Sequence, residues 1–374
     1  VNRLVGKKMD VQYDLISIFD PNATGQPVLS AVTQRVSLKE FKLVEPIGSG
    51  GYGTVWLARR RRTNDLVAIK VLERQTTRQR KMRAAVRLER NIMHDLSNAY
   101  IVTLLFSFAT TRHLYLVMEY LPGGDCAALL SSFGFLDEPV ARFLCAEALL
   151  GLEFLHGEGV IHRDIKPQNL LLNANGHLKL ADFGLSAAAA AYEGEEEKLN
   201  HSAKGTPMYL APEVLRRSGH SFGVDFWALG VVLYEFLTGD TPFASDDEQE
   251  VFKLILSGVV DIPDGDIGEE ACSLLRSLLV HVPERRLGSN GAQEVKAHAF
   301  FGPMDWSEEL WKKPAPFTPK IRHIEDTAQF KMDEYSRWQA NQMRGCLENS
   351  LSAEPEFAPP DAAASPASAA AAAA

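Results

Sequence analysis

Between residues 41 and 118, the dominant pattern is one of short apolar runs that are typical of β-strands. A charged segment from Arg78 to Leu96 interrupts them, and its apolar residues recur with a rough helical period. The runs lie at residues 41–44, 54–57, 66–71, 104–108 and 114–118. This pattern predicts a mostly antiparallel sheet that carries one helix.

The pattern becomes helical after Leu121-Pro122-Gly123-Gly124. The clearest repeat of apolar residues, typical of an amphipathic helix packed on a core, covers residues 139–156. Further helices are predicted over residues 225–237, 251–256 and 270–280. The fold class is therefore α+β, with the Pro-Gly-Gly stretch as the hinge between a small β-rich lobe and a larger helical lobe.

The two ends differ from this central part. Residues 1–37 are predicted to be an N-terminal extension, and 38–301 one domain with lobes 38–121 and 122–301. Residues 302–345 contain tryptophans and prolines without strong periodicity, which favours a tail that wraps over a surface. Residues 346–374 are mainly Ala, Pro and Ser, and this low complexity predicts disorder.

Composition limits the class of protein. The chain has 374 residues, 46% of them hydrophobic, and a net charge of −9, which disfavours a general nucleic-acid or anionic-membrane binder. No stretch reaches the ~18 to 20 apolar residues needed to cross a bilayer. The four widely spaced cysteines show no metal-ligand spacing, so we expect a reduced, cytoplasmic protein.

Because residue 1 is Val1 and no leader follows, we expect a fragment of a longer protein.

Five motifs carry candidate chemistry. A glycine-rich loop by itself is weak evidence, since glycine clusters serve many tight turns. In chain order the motifs are Gly48-Ser49-Gly50-Gly51-Tyr52-Gly53-Thr54-Val55, Val67-Ala68-Ile69-Lys70, His162-Arg163-Asp164-Ile165-Lys166-Pro167-Gln168-Asn169, Asp182-Phe183-Gly184 and Ala211-Pro212-Glu213. In this order they form the protein-kinase signature, and the chain resembles a Ser/Thr protein kinase.

This resemblance assigns the catalytic groups. Lys70 supplies a charge to the α- and β-phosphates, and an acid on the small-lobe helix holds it. Glu89, 19 residues further on, fits that acid, and Glu73 is the competing candidate. Asp164 orients the substrate hydroxyl and accepts its proton. Lys166 screens the γ-phosphate, and with Thr206 it indicates Ser/Thr rather than Tyr specificity.

The same resemblance implies ATP and Mg²⁺ as cofactors. Asn169 and Asp182 supply the oxygen ligands that Mg²⁺ prefers. In the glycine loop, missing side chains let backbone N–H groups approach the phosphates. Met118 is the gatekeeper residue, and Glu119 to Leu121 form the adenine-pairing hinge. The full nucleotide-binding set is Ile47, Gly48, Ser49, Gly50, Gly51, Tyr52, Gly53, Thr54, Val55, Ala68, Lys70, Met118, Glu119, Leu121 and Leu171.

Buried supporting contacts follow from the same resemblance. An apolar column linking the lobes is expected from Met93, Leu104, His162 and Phe183. A buried ion pair is expected between Glu213 and Arg286.

The end of the domain narrows the resemblance to the AGC group. His298-Ala299-Phe300-Phe301, Pro316-Phe317-Thr318-Pro319 and Asp326-Thr327-Ala328-Gln329-Phe330 resemble the C-terminal tail of that group. Within it, residues 118–130 are similar to the microtubule-associated Ser/Thr (MAST) kinases and Greatwall. We therefore expect Phe317 and Phe330 to pack on the domain, and we expect truncation after Cys346 to be nearly silent.

Regulation departs from the group pattern. Ala187 stands where a lysine often helps hold an activation-loop phosphate, here expected on Ser202 with Arg163 as its partner. The F-x-x-F motif that AGC kinases dock beside the small-lobe helix is missing from residues 302–374. We therefore expect an activating partner or an upstream kinase.

Two functions from different classes remain open at this point. The first is an Mg-ATP-dependent protein Ser/Thr kinase in intracellular signalling or in cell-cycle or cytoskeletal control, acting on protein substrates as a monomer. The second is a pseudokinase scaffold that binds partners without catalysis. Loss of Lys70, Asp164, Asn169 or Asp182 would favour the scaffold, and all four are present.

Overall fold

The computed structural model describes residues 36–50, 53–73, 98–110, 112–183, 187–188, 207–218, 221–263, 267–306, 309–323, 325–330 and 332–353. The predicted helix from Arg78 to Leu96 lies outside these residues, as do the extension up to residue 35 and most of the segment between residues 184 and 206.

The small lobe contains a five-stranded sheet in the order β1-β2-β3-β5-β4, and every neighbouring pair is antiparallel. All five predicted strands are confirmed. Residues in β3 are nearly all buried, which explains its unbroken apolar run. The strands are β1 (Phe41–Gly50), β2 (Gly53–Arg60), β3 (Leu66–Glu73), β4 (Leu104–Ala109) and β5 (His113–Glu119).

Side chains on the two faces of this sheet enter different cores, because they alternate along each strand. On β3, Ile69 and Val71 point to an outer core with Trp56 of β2, whereas Ala68 joins a cluster beside the predicted nucleotide site. Lys70 shares the second face with Ala68. Because of this alternation, Lys70 lies on the same face of the sheet as the predicted nucleotide site, although its neighbours from Leu66 to Leu72 are all apolar.

The large lobe is mainly helical, and its four predicted helices are confirmed with small shifts at their ends. Helices α2 and α4 pack on each other, with α6 against α4, and bury the apolar positions identified in the sequence. The helices are α1 (Cys126–Phe133), α2 (Glu138–Gly157), α3 (Pro212–Arg216), α4 (Gly223–Thr238), α5 (Glu248–Ser257), α6 (Glu269–Leu278) and α7 (Ala292–Lys296).

Two short antiparallel strand pairs lie in the segment that carries the catalytic motifs. β6 (Val160–Ile161) pairs with β9 (Ala187–Ala188), and β7 (Leu170–Leu172) pairs with β8 (Leu178–Leu180). The hinge is joined to β7, because the N–H of Gly123 donates to the carbonyl of Leu172 at 2.9 Å. These pairs set the spacing between the hinge and the catalytic loop.

The segment after residue 301 returns across both lobes. The ring of Phe317 lies edge-on to Phe133 of the large lobe, with centroids 5.8 Å apart. Phe330 stacks on Tyr120 of the hinge at 5.9 Å and joins the small-lobe cluster of Ala68. Arg59 of β2 donates from Nε to the Glu325 carboxylate at 2.9 Å. The predicted packing of both phenylalanines is therefore confirmed.

The end of this segment differs from the sequence-based expectation. Helix α8 (Glu334–Ala353) extends beyond Cys346, where we predicted disorder to begin. Leu347 is 0% exposed and packs into the outer core of the sheet. The prediction of disorder was therefore wrong for residues 346–353, because the outer face of the sheet supplies a partner that the local composition does not show.

None of the helices in the described part of the chain combines the length and the apolar character needed to span a membrane.

Candidate active site

The predicted catalytic aspartate lies in a loop that is densely hydrogen-bonded. Lys166 Nζ donates to both carboxylate oxygens of Asp164, at 2.9 and 2.8 Å. The amide nitrogen of Asn169 donates to the Asp164 carbonyl at 2.7 Å and to its Oδ2 at 2.8 Å. The structure therefore brings these three predicted residues together around one carboxylate.

A buried aspartate of α4 holds the backbone of this loop by hydrogen bonds. Asp225 is 0% exposed, and its carboxylate accepts the backbone N–H of His162 at 2.9 Å and that of Arg163 at 2.7 Å. His156 Nε2 lies 2.8 Å from the same carboxylate. Burial raises the pKa of Asp225, but the hydrogen bond and charge of His156, together with smaller contributions such as the hydrogen bond from the Arg163 N–H, outweigh it and leave the pKa below its usual value.

Asp225 is a positioning residue that our sequence reasoning missed. It was identified only as the beginning of a predicted helix. A signal was available, since it is the sole charge in the buried stretch 223–234, and buried carboxylates are rare unless they are paired.

His162 has the structural role preferred from the sequence. It is 0% exposed, its ring lies 5.1 Å from that of Phe183, and Nε2 lies 3.2 Å from the Ala181 carbonyl. The backbone N–H of Asp164 donates to its Nδ1 at 3.3 Å, which requires an unprotonated nitrogen. Burial lowers the pKa of His162, in agreement with a neutral ring.

The two predicted metal ligands fit a hard cation. Asn169 uses its amide nitrogen on Asp164, which leaves the amide oxygen as its remaining side-chain polar atom. Asp182 adds a carboxylate, and oxygen ligands of this kind suit Mg²⁺. Asp182 and Arg163 both have left-handed backbone conformations, with φ of 59° and 67°. Non-glycine residues adopt such conformations at a cost of about 1–3 kcal/mol, and they cluster at functional sites.

Lys70 connects the sheet to this site. Its ammonium group, on a side chain only 7% exposed, lies 2.8 Å from Oδ1 of Asp182. Glu89, predicted to hold Lys70, lies outside the described residues, so that pairing stays a prediction. The competing candidate, Glu73, ends β3 and is exposed.

The predicted adenine site is an apolar cluster between β1, β2, β3 and the hinge. Ile47, Ala68 and Phe330 are buried in it, and Val55 and Met118 pack against them. Leu171 lies on β7, paired with Lys179 of β8, and is not a member of this cluster. Phe330 is a further member; we predicted only that it packs on the domain, without a place in the nucleotide site.

The hinge is fixed by side-chain contacts. The Glu119 carboxylate accepts the backbone N–H of Thr103 at 2.8 Å and lies 2.7 Å from Nζ of Lys179. Leu121, at the end of the hinge, is buried. These contacts connect the edge of the sheet to the β7–β8 hairpin, which follows the catalytic loop.

The glycine loop lies at the turn between β1 and β2. Gly48 pairs with Val55, Ser49 with Thr54, and Gly50 with Gly53. Gly53 has φ of 142°, and a Cβ there would lie 2.2 Å from the Val71 carbonyl, so only glycine fits. Gly51 and Tyr52 lie outside the described residues. The described residues of the loop therefore continue the antiparallel pairing of β1 with β2, next to β3, the strand that carries Lys70.

The region expected to receive substrate is only partly described, and the predicted residues Thr206 and Ser202 lie outside the described residues. Within the described part, the Tyr209 hydroxyl donates to Glu235 at 2.6 Å, and burial raises the pKa of Glu235. Glu213 and Arg286 form the expected buried pair, with nitrogen–oxygen distances of 2.7 and 2.9 Å.

Comparison with known families agrees with this geometry. The family described as "Protein kinase domain" matches residues 41–301, which is more than half of the chain. That range runs from the first residue of β1 to the last buried phenylalanine before the tail, Phe301. The match therefore includes all five motifs of the kinase signature, from the glycine loop to Ala211-Pro212-Glu213.

Curated relatives extend the similarity beyond the domain. The chain is 42% identical over 334 residues to the Arabidopsis thaliana protein named "Probable serine/threonine protein kinase IRE4", covering 83% of this chain and 32% of the relative. It is 39% identical over 316 residues to human "Ribosomal protein S6 kinase alpha-1", covering 83% and 42%. A Gallus gallus "Ribosomal protein S6 kinase 2 alpha" is 36% identical, covering 88% and 45%. The chain thus spans less than half the length of each of these three proteins.

Proposed function

The chain belongs to the protein kinase family, among the serine/threonine protein kinases, and from this premise we propose that it transfers the γ-phosphoryl group of Mg-ATP to Ser or Thr hydroxyls of proteins. The observation that carries the proposal is the arrangement of Lys166 and Asn169 on the Asp164 carboxylate, with Asp182 joined to Lys70. Phosphoryl transfer depends mainly on positioning and charge stabilisation, and this arrangement supplies both.

Each group has a defined task in the transfer. Asp164 accepts a hydrogen bond from the substrate hydroxyl, orients it towards the γ-phosphorus and takes its proton as the new P–O bond forms. Lys166, already bonded to Asp164, stabilises the negative charge on the transferred group. Lys70 neutralises charge on the remaining phosphates, which leave as part of ADP.

Asn169 and Asp182 would hold the divalent metal, and Mg²⁺ is our proposal for its identity. When bound, the ion neutralises phosphate oxygens that would otherwise repel one another. The apolar cluster of Ile47, Ala68 and Phe330 would take the adenine ring by excluding water from its faces.

A direct assay tests the proposal. Purified protein with Mg-ATP should phosphorylate Ser or Thr in a generic basic protein or in itself. Asp164→Asn should reduce turnover by about 10²- to 10⁴-fold, the range expected when an acid–base group is lost. Asp246→Asn, at an exposed aspartate far along the chain, is the matched control and should leave the rate unchanged. Equal rates for wild type and Asp164→Asn would contradict the assignment, and no transfer by the wild type would favour a scaffold.

We place the protein in the AGC group and, within it, beside the MAST and Greatwall kinases. The relatives named ribosomal protein S6 kinases and the packing of Phe317 and Phe330 support the group, and residues 118–130 support the branch. Our proposal includes protein substrates, an upstream kinase or activating partner, a monomeric state and a cytoplasmic location. Phosphorylation profiling on a peptide array would define the substrate sequence.

A further inference from the structure

The strand that leads into the glycine loop is irregular. In the pairing of β1 with β2, Leu43 faces Ala58 and Glu45 faces Leu57, so Val44 is an extra residue in a β-bulge. β1 is also an edge strand of the described sheet. A bulged edge strand has fewer ladder hydrogen bonds than a central one, so contacts from outside the sheet determine how firmly it is held.

Helix α8 contacts β1 from the outer face of the sheet. Ala340 is 1% exposed and Leu347 is 0% exposed, and both lie in the core that contains Trp56. Between them, Arg344 donates from its guanidinium group to the carbonyl of Val44, the bulge residue. The same guanidinium lies 5.0 Å from the centre of the Trp56 ring. The helix thus supplies a hydrogen bond where the ladder is interrupted.

The segment before α8 contacts β1 on the side of the cleft. The Thr327 hydroxyl donates to the Glu45 carboxylate, next to the bulge. Phe330 packs with Ile47, the residue before Gly48, in the cluster proposed to take adenine. Residues 44–47 are therefore contacted by the tail from both faces of the sheet.

We propose that Arg344 and Leu347 are positioning residues for nucleotide binding: by docking α8 on β1 and Trp56, they hold the bulge and keep Phe330 in the cluster proposed to take adenine. The proposal rests on the proposed function only in taking ATP as the ligand of that cluster. Without the helix, ligand binding would have to order both β1 and the segment before α8, and that loss of conformational freedom weakens affinity.

Calorimetric titration with Mg²⁺ and a non-hydrolysable ATP analogue tests this proposal, in the Asp164→Asn background so that turnover plays no part. Arg344→Ala and Leu347→Ala should each weaken binding by at least about fivefold, the lower end of typical coupling between sites. Gln342→Ala, at an exposed position of the same helix, is the matched control and should bind like the parent. Circular dichroism checks that each variant is folded at the assay temperature.

A double-mutant cycle distinguishes the proposed positioning role from a general contribution of α8 to stability. In a Phe330→Ala background, Arg344→Ala should cost much less affinity, because the two residues act through the same pocket. Full additivity, or unchanged affinity in Arg344→Ala and Leu347→Ala, would overturn the positioning role alone. If the Asp164→Asn parent also failed to bind the analogue, that result would contradict the proposed function. Failure of the positioning role and failure of the proposed function therefore give different results.

Discussion

Lys70 Nζ lies 2.8 Å from Oδ1 of Asp182, so a direct ion pair joins β3, the central strand of the small lobe, to the segment that follows β8. Asp182 is held there in a left-handed conformation that non-glycine residues seldom adopt. The pair brings together the lysine predicted to bind phosphate and a predicted metal ligand.

The first prediction concerns this aspartate. Asp182→Ala should abolish measurable phosphoryl transfer, because it removes a metal ligand, while the fold survives because the side chain is 38% exposed. Radiolabel transfer from ATP and a thermal melt measure the two effects. A near-normal rate in this variant would show that the metal assignment is wrong.

The second prediction concerns the buried pair of the large lobe. Arg286→Ala should lower the free energy of unfolding by about 3–5 kcal/mol, because it strands the Glu213 carboxylate in the interior. Arg285→Ala, at the exposed neighbouring position, is the matched control. Urea denaturation measures both, and similar midpoints for the two variants would contradict the importance of the pair.

The third prediction replaces our expectation for the tail. Because Leu347 is fully buried on the sheet, Leu347→Ala should cost about 2–5 kcal/mol of stability, and truncation after Cys346 should be clearly destabilising. Truncation after Ala353 should have little effect. Asn341→Ala, exposed on the same helix, is the control. Denaturation midpoints that agree for the two truncations would sink the prediction.

The fourth prediction concerns acid stability. Since burial lowers the pKa of His162 below its usual 6.5, the unfolded chain takes up a proton at this residue before the folded protein does. The free energy of unfolding should therefore fall as the pH drops below about 6.5, with a slope of at most about 1.4 kcal/mol per pH unit from this group. His162→Gln should flatten that slope, and His323→Gln, at an exposed position, should not. An unchanged slope in His162→Gln would refute a neutral buried ring.

The fifth prediction concerns activation. A phosphate on Ser202 would add about −1.5 to −2 charges and bind Arg163, whose backbone is already fixed by Asp225. With Ala187 in place of a second cation, Ser202→Ala should reduce activity without abolishing it, and Ala187→Lys should strengthen the dependence on Ser202. Rates measured with and without prior phosphorylation decide this. Identical rates for wild type and Ser202→Ala after phosphorylation would show that Ser202 has no regulatory role.

Local pattern was enough to predict the strands of the small lobe and the main helices of the large lobe. Apolar side chains that face a core recur every two residues in a strand and every 3.6 in a helix, and these periods can be read from the sequence. The motifs likewise predicted, through their resemblance to the protein kinases, that Asp164, Lys166 and Asn169 lie together, and the structure brings these three residues together. The sequence was therefore sufficient for the main strands and helices and for the grouping of these three side chains.

The tertiary structure revealed several contacts between distant residues that neither the hydrophobic pattern nor the motifs had predicted. Asp225 reaches the backbone of the catalytic loop from α4, Phe330 enters the nucleotide cluster, and Leu347 and Arg344 cover Trp56. Local pattern could not identify the partners in these contacts, because each contact depends on the path of the chain between remote segments. Helix α8 begins before the low-complexity segment and runs into it, and it is stabilised chiefly by the surface that it buries. That surface is formed by strands some 300 residues earlier in the chain, as the hydrogen bond from Arg344 to the Val44 carbonyl shows.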